Sequence, residues 1–149
     1  MQQLQLDLFP DERRQNWHWL AEDWCDLEIE AYVEAEIASG NVTPPEWKWR
    51  IPATYNGADG NVRVTGWKKV KVAISLGLLP PPNTCSICLR SPAGQMHNED
   101  YSRPLKAKPI CFSCHRTLHG RFKNPVRWDR LVERHAHVGA WFLSLSRSA

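Results

Sequence analysis

Cys85 and Cys88 form one C-x-x-C pair, and Cys111 and Cys114 form a second, with 22 residues between the pairs. Each such pair turns two sulfurs toward a single ion, and four thiolates complete a tetrahedral site. Sulfur donors favour zinc, or less often an iron–sulfur cluster. Closed four-sulfur coordination leaves no position for water, so this ion is expected to be structural. Three histidines make a second constellation. His115 and His119 are four residues apart, so on a helix beginning at the second pair they share one face. His97, within Met96-His97-Asn98-Glu99-Asp100-Tyr101, is expected on a strand or hairpin arm opposite that helix. The result is a ββα arrangement in which three imidazoles can meet at a second divalent cation (Mg2+, Mn2+, Ni2+ or Zn2+). The plainer reading is a zinc knuckle whose histidines only hydrogen-bond.

Elements on either side must hold these residues. Residues 11–38 read as an acidic helix capped by Asp11, with Trp17, Leu20, Trp24, Leu27 and Ala31 recurring at three and four and Ser39-Gly40 ending it. Its Cys25 and His18 have no partner at ligand spacing and read as packing or surface residues. Residues 46–64 read as two extended pieces around the turn signals Asn56-Gly57 and Asp59-Gly60. Thr65 would cap a following helix with Trp67, Val70, Ile74 and Leu78 on one side and Gly77 near its end. Trp47, Trp49 and Trp67, interleaved with Lys and Arg, would stack on bases or pack on one another. Pro80-Pro81-Pro82 is a stiff spacer. A last helix is expected from Pro125 to about His135, with Trp128, Leu131 and Val132 inward and Arg127, Arg130 and Arg134 outward. Trp141, Phe142, Leu143 and Leu145 would close over the core, leaving His135 and His137 on the surface.

The net charge of +3 over 149 residues conceals an asymmetry. Residues 1–46 hold eleven acids against two arginines, residues 47–71 carry a net +5, and residues 101–134 a net +7. An acidic arm joined to a basic body suggests a polyanion as partner of the basic part. Lys68, Lys69 and Lys71 crowd one helix start. Lys106, Lys108, Arg116, Arg121 and Lys123 surround the histidines, so these eight are the candidate phosphate contacts on DNA. The acidic helix could equally mimic DNA or cover the basic face. No apolar run has the length of a membrane span and no signal-peptide layout opens the chain, so the expectation is a cytoplasmic protein without a membrane partner. The cysteines are then ligands or free thiols rather than disulfides.

The order C-x2-C, His-bearing hairpin, C-x2-C-H-x3-H resembles the HNH (His-Me finger) nucleases braced by a four-cysteine zinc. The stretch HNEDYSRPLKAKPICFSCH is also similar to small HNH-like proteins of phages and mobile elements. The resemblance covers about residues 83–123. It implies that His97 takes the hairpin metal position, that His115 and His119 take the helix metal positions, and that the general-base position falls on Asn98. An amide has no proton to exchange near neutrality and cannot take one from water as imidazole does. The family's middle Asn falls near Lys106. Shifting the register by one residue makes His97 the base but leaves Met96, a poor ligand for hard cations, at the metal position. Any nuclease activity is therefore expected far below that of a typical member, unless Glu99 or solvent substitutes for the base.

Gln5-Leu6-Asp7-Leu8-Phe9 reads QLDLF, which resembles the peptide by which bacterial proteins dock on the replicative sliding clamp. Such a peptide places Leu8 and Phe9 in an apolar pocket, Leu6 in a neighbouring hollow and the Gln5 amide in a polar subsite. The local alternatives are a staple of Phe9 onto the first helix turn, or an edge strand through Leu4, Leu6 and Leu8. Together these readings give an α+β protein: a tail at 1–10, an acidic helix and basic middle at 11–79, and at 83–149 a zinc-knuckle HNH-like module with a helical cap. Three functions stay open. The chain is a DNA-associated, clamp-recruited protein of phage or mobile-element type, an active metal-dependent endonuclease, or a factor acting on the clamp or another host protein.

Overall fold

The computed structural model describes residues 26–145. The tail residues Gln5, Leu6, Leu8 and Phe9 and the first half of the helix expected over 11–38 lie outside that range. The described residues hold four α-helices and one two-stranded antiparallel sheet, an α+β composition. None of these helices is long and apolar enough to cross a membrane. The chain divides into two compact units. Among the described residues, one takes those from Asp26 to Pro81 together with Glu99–Lys106, and the other takes Pro82–Asn98 and those from Ala107 to Leu145.

In the first unit, α1 spans Asp26–Ala38 and stops where Gly40 adopts a left-handed φ of 76°, as Ser39-Gly40 predicted. Its buried side differs from the expected stripe. Leu27 is 58% exposed and Ala31 is exposed, whereas Ile29 and Val33 are buried. Both frames are apolar at a spacing of four, and the larger Ile–Val row buries more surface than Leu27 and Ala31. Glu30 shares the buried side because its carboxylate pairs with Nε of Arg103 at 3.3 Å.

The second helix, α2, spans Gly60–Ser75, so it begins five residues before the expected cap at Thr65. Asn56-Gly57 does form the expected turn: Tyr55 and Ala58 exchange backbone hydrogen bonds of 2.9 and 3.0 Å, and both central residues have positive φ. Asp59, in contrast, is the helix cap rather than part of a second turn, its carboxylate accepting from the Val62 N–H at 2.9 Å. Gly60 follows it because a Cβ there would lie 2.3 Å from the Pro52 carbonyl oxygen and from Ile51 Cγ2. The helix ends in a Schellman arrangement, with Gly77 at φ 74° and the Leu78 N–H on the Ala73 carbonyl at 2.9 Å. Val64, Gly66, Val70, Val72 and Ala73 are buried, and α2 packs against α1 and a 3-10 turn at Pro104–Lys106.

In the second unit, β1 (Gln95–His97) pairs with β2 (Lys108–Ile110), Gln95 opposite Ile110 and His97 opposite Lys108. Helix α3 (Phe112–His119) follows β2 directly, with Cys111 as its cap. Helix α4 (Pro125–His135) has the expected bounds, with Asn124 accepting from the Arg127 N–H at 3.2 Å and Pro125 in the first turn. A 3-10 turn at Trp141–Ser144 closes the unit. The core joins Ile87, Ile110, Leu118, Trp128 and Phe142 with Cys85, Cys111 and Cys114, and Leu131, Val132, Trp141 and Leu145 pack at its margin.

Candidate metal centres

The first C-x-x-C pair sits in a tight turn. The Leu89 N–H reaches the Cys85 carbonyl at 3.0 Å, Leu89 takes a left-handed φ of 58°, and the Ile87 N–H points at Cys85 Sγ at 3.4 Å. Its neighbour Ser86 ties the turn to the sheet by donating its N–H to the Pro109 carbonyl at 2.8 Å. The second pair opens α3, where the Cys114 N–H points at Cys111 Sγ at 3.4 Å. The four sulfurs lie within 4.8 Å of one another. A tetrahedral ion with bonds of about 2.3 Å separates its sulfurs by about 3.8 Å, so the cluster fits a metal of that geometry.

The electrostatics point the same way. Burial pushes the Cys114 thiol up, helped by its contact with Cys111 and by the other thiols around it. Burial also raises Cys85, against opposing N–H groups. Cys88 is half-buried. Burial raises its thiol too, but the backbone N–H groups of Arg90 and Ser91 outweigh that and bring it down to about 6. Gathering four thiolates in this core calls for a cation to neutralise them. The four cysteines can hold a metal ion such as zinc.

The histidines form a second cluster in the same unit. His97 projects from β1, and His115 and His119 project one turn apart from α3. Nε2 of His115 lies 3.3 Å from Nδ1 of His97 and 3.0 Å from Nε2 of His119. Nitrogens bound at about 2.1 Å to one ion stand about 3.0–3.4 Å apart, so both separations match the edge of a coordination shell. Gln95, two residues before His97 and therefore on the same face of β1, places Oε1 2.7 Å from Nδ1 of His115. The Trp141 ring is stacked on His97 at 5.8 Å with 21° between planes. Its indole N–H donates to Ser86 Oγ at 3.0 Å, and that hydroxyl donates to the Pro109 carbonyl at 2.6 Å. His97 is thereby sealed from solvent.

Other candidate residues fall elsewhere. Asn98, at the general-base position, is buried at the end of β1. Glu99 belongs to the first unit, where its carboxylate accepts from the Tyr55 hydroxyl at 2.7 Å and from Asn56 Nδ2 at 2.8 Å. Those hydrogen bonds engage the carboxylate that the sequence offered as a substitute base. Arg121, a candidate phosphate contact, lies in the interior. It is fully buried, with Nη1 donating to the Leu118 carbonyl at 3.0 Å and its guanidinium 4.3 Å from the Phe122 ring centre, so it shapes the core rather than meeting phosphate.

Among the remaining cations of the second unit, Lys108, Arg116 and Lys123 are exposed. In the first unit Lys71 and Lys106 are exposed and Lys68 is half-buried, while Lys69 is drawn to Glu34 at 2.8 Å. Trp47, Trp49 and Trp67 meet edge to face at 5.0–5.9 Å, so they pack on one another, although Trp49 remains 63% exposed. Gln95 and Trp141 are the site residues that spacing alone did not single out. The period of two along a strand was the available signal for Gln95.

Comparison of the chain with protein-family models, with curated proteins and with solved structures finds no match.

Proposed function

We propose that this chain is a zinc-braced, DNA-associated protein of HNH-like build. In this reading Cys85, Cys88, Cys111 and Cys114 hold a structural zinc. His97, His115 and His119 hold a second divalent cation, and Asn98 occupies the position where such nucleases carry their base. The observation that carries the reading is the convergence of three imidazole nitrogens, from one strand and the helix after its partner strand, in the unit that also gathers the four sulfurs. A divalent cation at such a site supplies charge neutralisation for phosphate and for a leaving oxygen. The chain's own residues do the rest. Lys108, Arg116 and Lys123 offer exposed charge to a polyanion, and the Asn98 amide has no means of accepting a proton from water. The protein is accordingly read as binding DNA without efficient cleavage. Its recruitment to the sliding clamp, and its phage or mobile-element character, rest on the residues QLDLF and HNEDYSRPLKAKPICFSCH alone.

Purified protein and a His115→Ala variant, each incubated with plasmid and Mg2+, Mn2+, Ni2+ or Zn2+, test this reading. Duplex binding that weakens steeply with salt, with no nicking above the variant, is the expected result. Metal-dependent nicking lost in the variant would replace it with the endonuclease reading, and a flat salt response would replace it with a protein partner. Clamp binding by intact protein but not by Leu8→Ala/Phe9→Ala tests the recruitment separately.

A further inference from the structure

Taking His97, His115 and His119 as the cation site proposed above, we infer that Gln95 is a positioning residue that sets the tautomer of His115 and so aims its lone pair at the cation. The argument starts from hydrogen-bond chemistry. An amide oxygen only accepts, so the 2.7 Å contact between Gln95 Oε1 and His115 Nδ1 places the ring proton on Nδ1. A neutral imidazole protonated at Nδ1 carries its lone pair on Nε2. That is the nitrogen facing Nδ1 of His97 at 3.3 Å and Nε2 of His119 at 3.0 Å. His115 thus stands at the centre of the cluster with its acceptor atom turned inward.

The backbone holds Gln95 in place for this. Gln95 is paired with Ile110 in the sheet, and Cys111 next to Ile110 caps the helix that carries His115. The acceptor and the ring it orients are therefore fixed to the same short run of hydrogen-bonded chain. The period of two puts Gln95 and His97 on one face, so a single strand supplies both a ligand and the support of another ligand. Removing the amide would leave the Nδ1–H without its acceptor. The proton would then be free to move to Nε2, which blocks the lone pair that a cation needs.

The choice of an amide also bears on the kind of cation. Ligand imidazoles commonly donate to a carboxylate, whose charge makes the ring a better donor to metal. Gln95 supplies orientation without that charge, which suits an exchangeable divalent cation rather than a permanently resident one. Gln95→Glu should therefore bind the cation at least as tightly as the native chain, and Gln95→Leu should bind it about 10–100-fold more weakly.

The deciding experiment uses the full chain with zinc on its cysteines. Long-range proton–nitrogen NMR spectra at mildly alkaline pH, before any second metal is added, read the tautomer directly. His115 is expected as Nδ1–H in the native chain and in Gln95→Glu, and as Nε2–H in Gln95→Leu. Calorimetric titration with Ni2+ then reads affinity, with one zinc per chain in every variant as the control for folding. A native His115 protonated at Nε2 overturns the inference, as does a Gln95→Leu variant that keeps both native tautomer and native affinity. If Gln95→Leu does not fold, the native spectrum still decides. A native chain with His115 as Nδ1–H that takes up no Ni2+ supports the tautomer assignment and overturns the cation-site reading instead.

Discussion

The two units are held together by different chemistry. In the first, Ile29, Val33, Val64, Val70, Val72 and Ala73 fill the interior, and the polar groups near it have protein partners, such as Glu30 with Arg103 and Glu99 with Tyr55 and Asn56. In the second, three of the nine residues in the buried core cluster are cysteines, so thiols stand where aliphatic side chains would otherwise pack. Burial opposes ionisation of Cys85 and Cys114, and a bound cation would stabilise them as thiolates. One unit folds on apolar burial, and the other gathers four sulfurs that can hold a metal ion within its core.

Metal removal is the strongest way to break that contrast. Structural zinc is worth about 10 kcal/mol or more to a small domain, so stripping it with a chelator should unfold the second unit. Amide NMR signals of α3 and α4 should collapse while those of α2 persist, and Cys114→Ala should reproduce the pattern. Loss of α2 at the same time would end the contrast between the units. Next in size is Gly60→Ala, whose methyl would press on the Pro52 carbonyl. It should cost about 1–3 kcal/mol in urea unfolding, with the zinc content unchanged. Asp59→Ala, which deletes the α2 cap, should cost about 1 kcal/mol in the same measurement.

The smallest effect concerns pH. The Ser102 hydroxyl and N–H, at 2.6 and 2.9 Å, hold the Asp100 carboxyl below its ordinary 3.8. A carboxyl depressed on folding adds stability above its unfolded pKa, and that stability is lost as pH falls through the folded value. Ser102→Ala should bring the Asp100 midpoint, followed by carbon NMR, back toward 3.8.

Much of the second unit could be read from spacing. Two C-x-x-C pairs dictate convergence, a four-residue interval puts His115 and His119 together, and Pro125 marks the start of α4. These are local rules with one geometric solution. The first unit was less legible because its local signals are degenerate. Asp-Gly serves a turn and a helix start by the same carboxylate-to-N–H hydrogen bond, and only the packing of Ile51 and Pro52 over Gly60 selects the helix. Helix α1 carries two apolar rows at the same interval, and tertiary burial chooses between them. The surroundings of Arg121 and Glu99 were hidden for a related reason. A charged residue near a site in sequence looks available until its own partners, here the Leu118 carbonyl and the Tyr55 hydroxyl, are known.

The four sulfurs come from opposite sides of the Glu99–Lys106 stretch, and so do the two paired strands. With a metal ion on those sulfurs, a protease cut within that stretch would sever the polypeptide without separating its pieces. With an ion on the four sulfurs the fragments would travel as one species and part once it is chelated, so a metal held there would act as a removable crosslink across a chain that could be supplied in two halves.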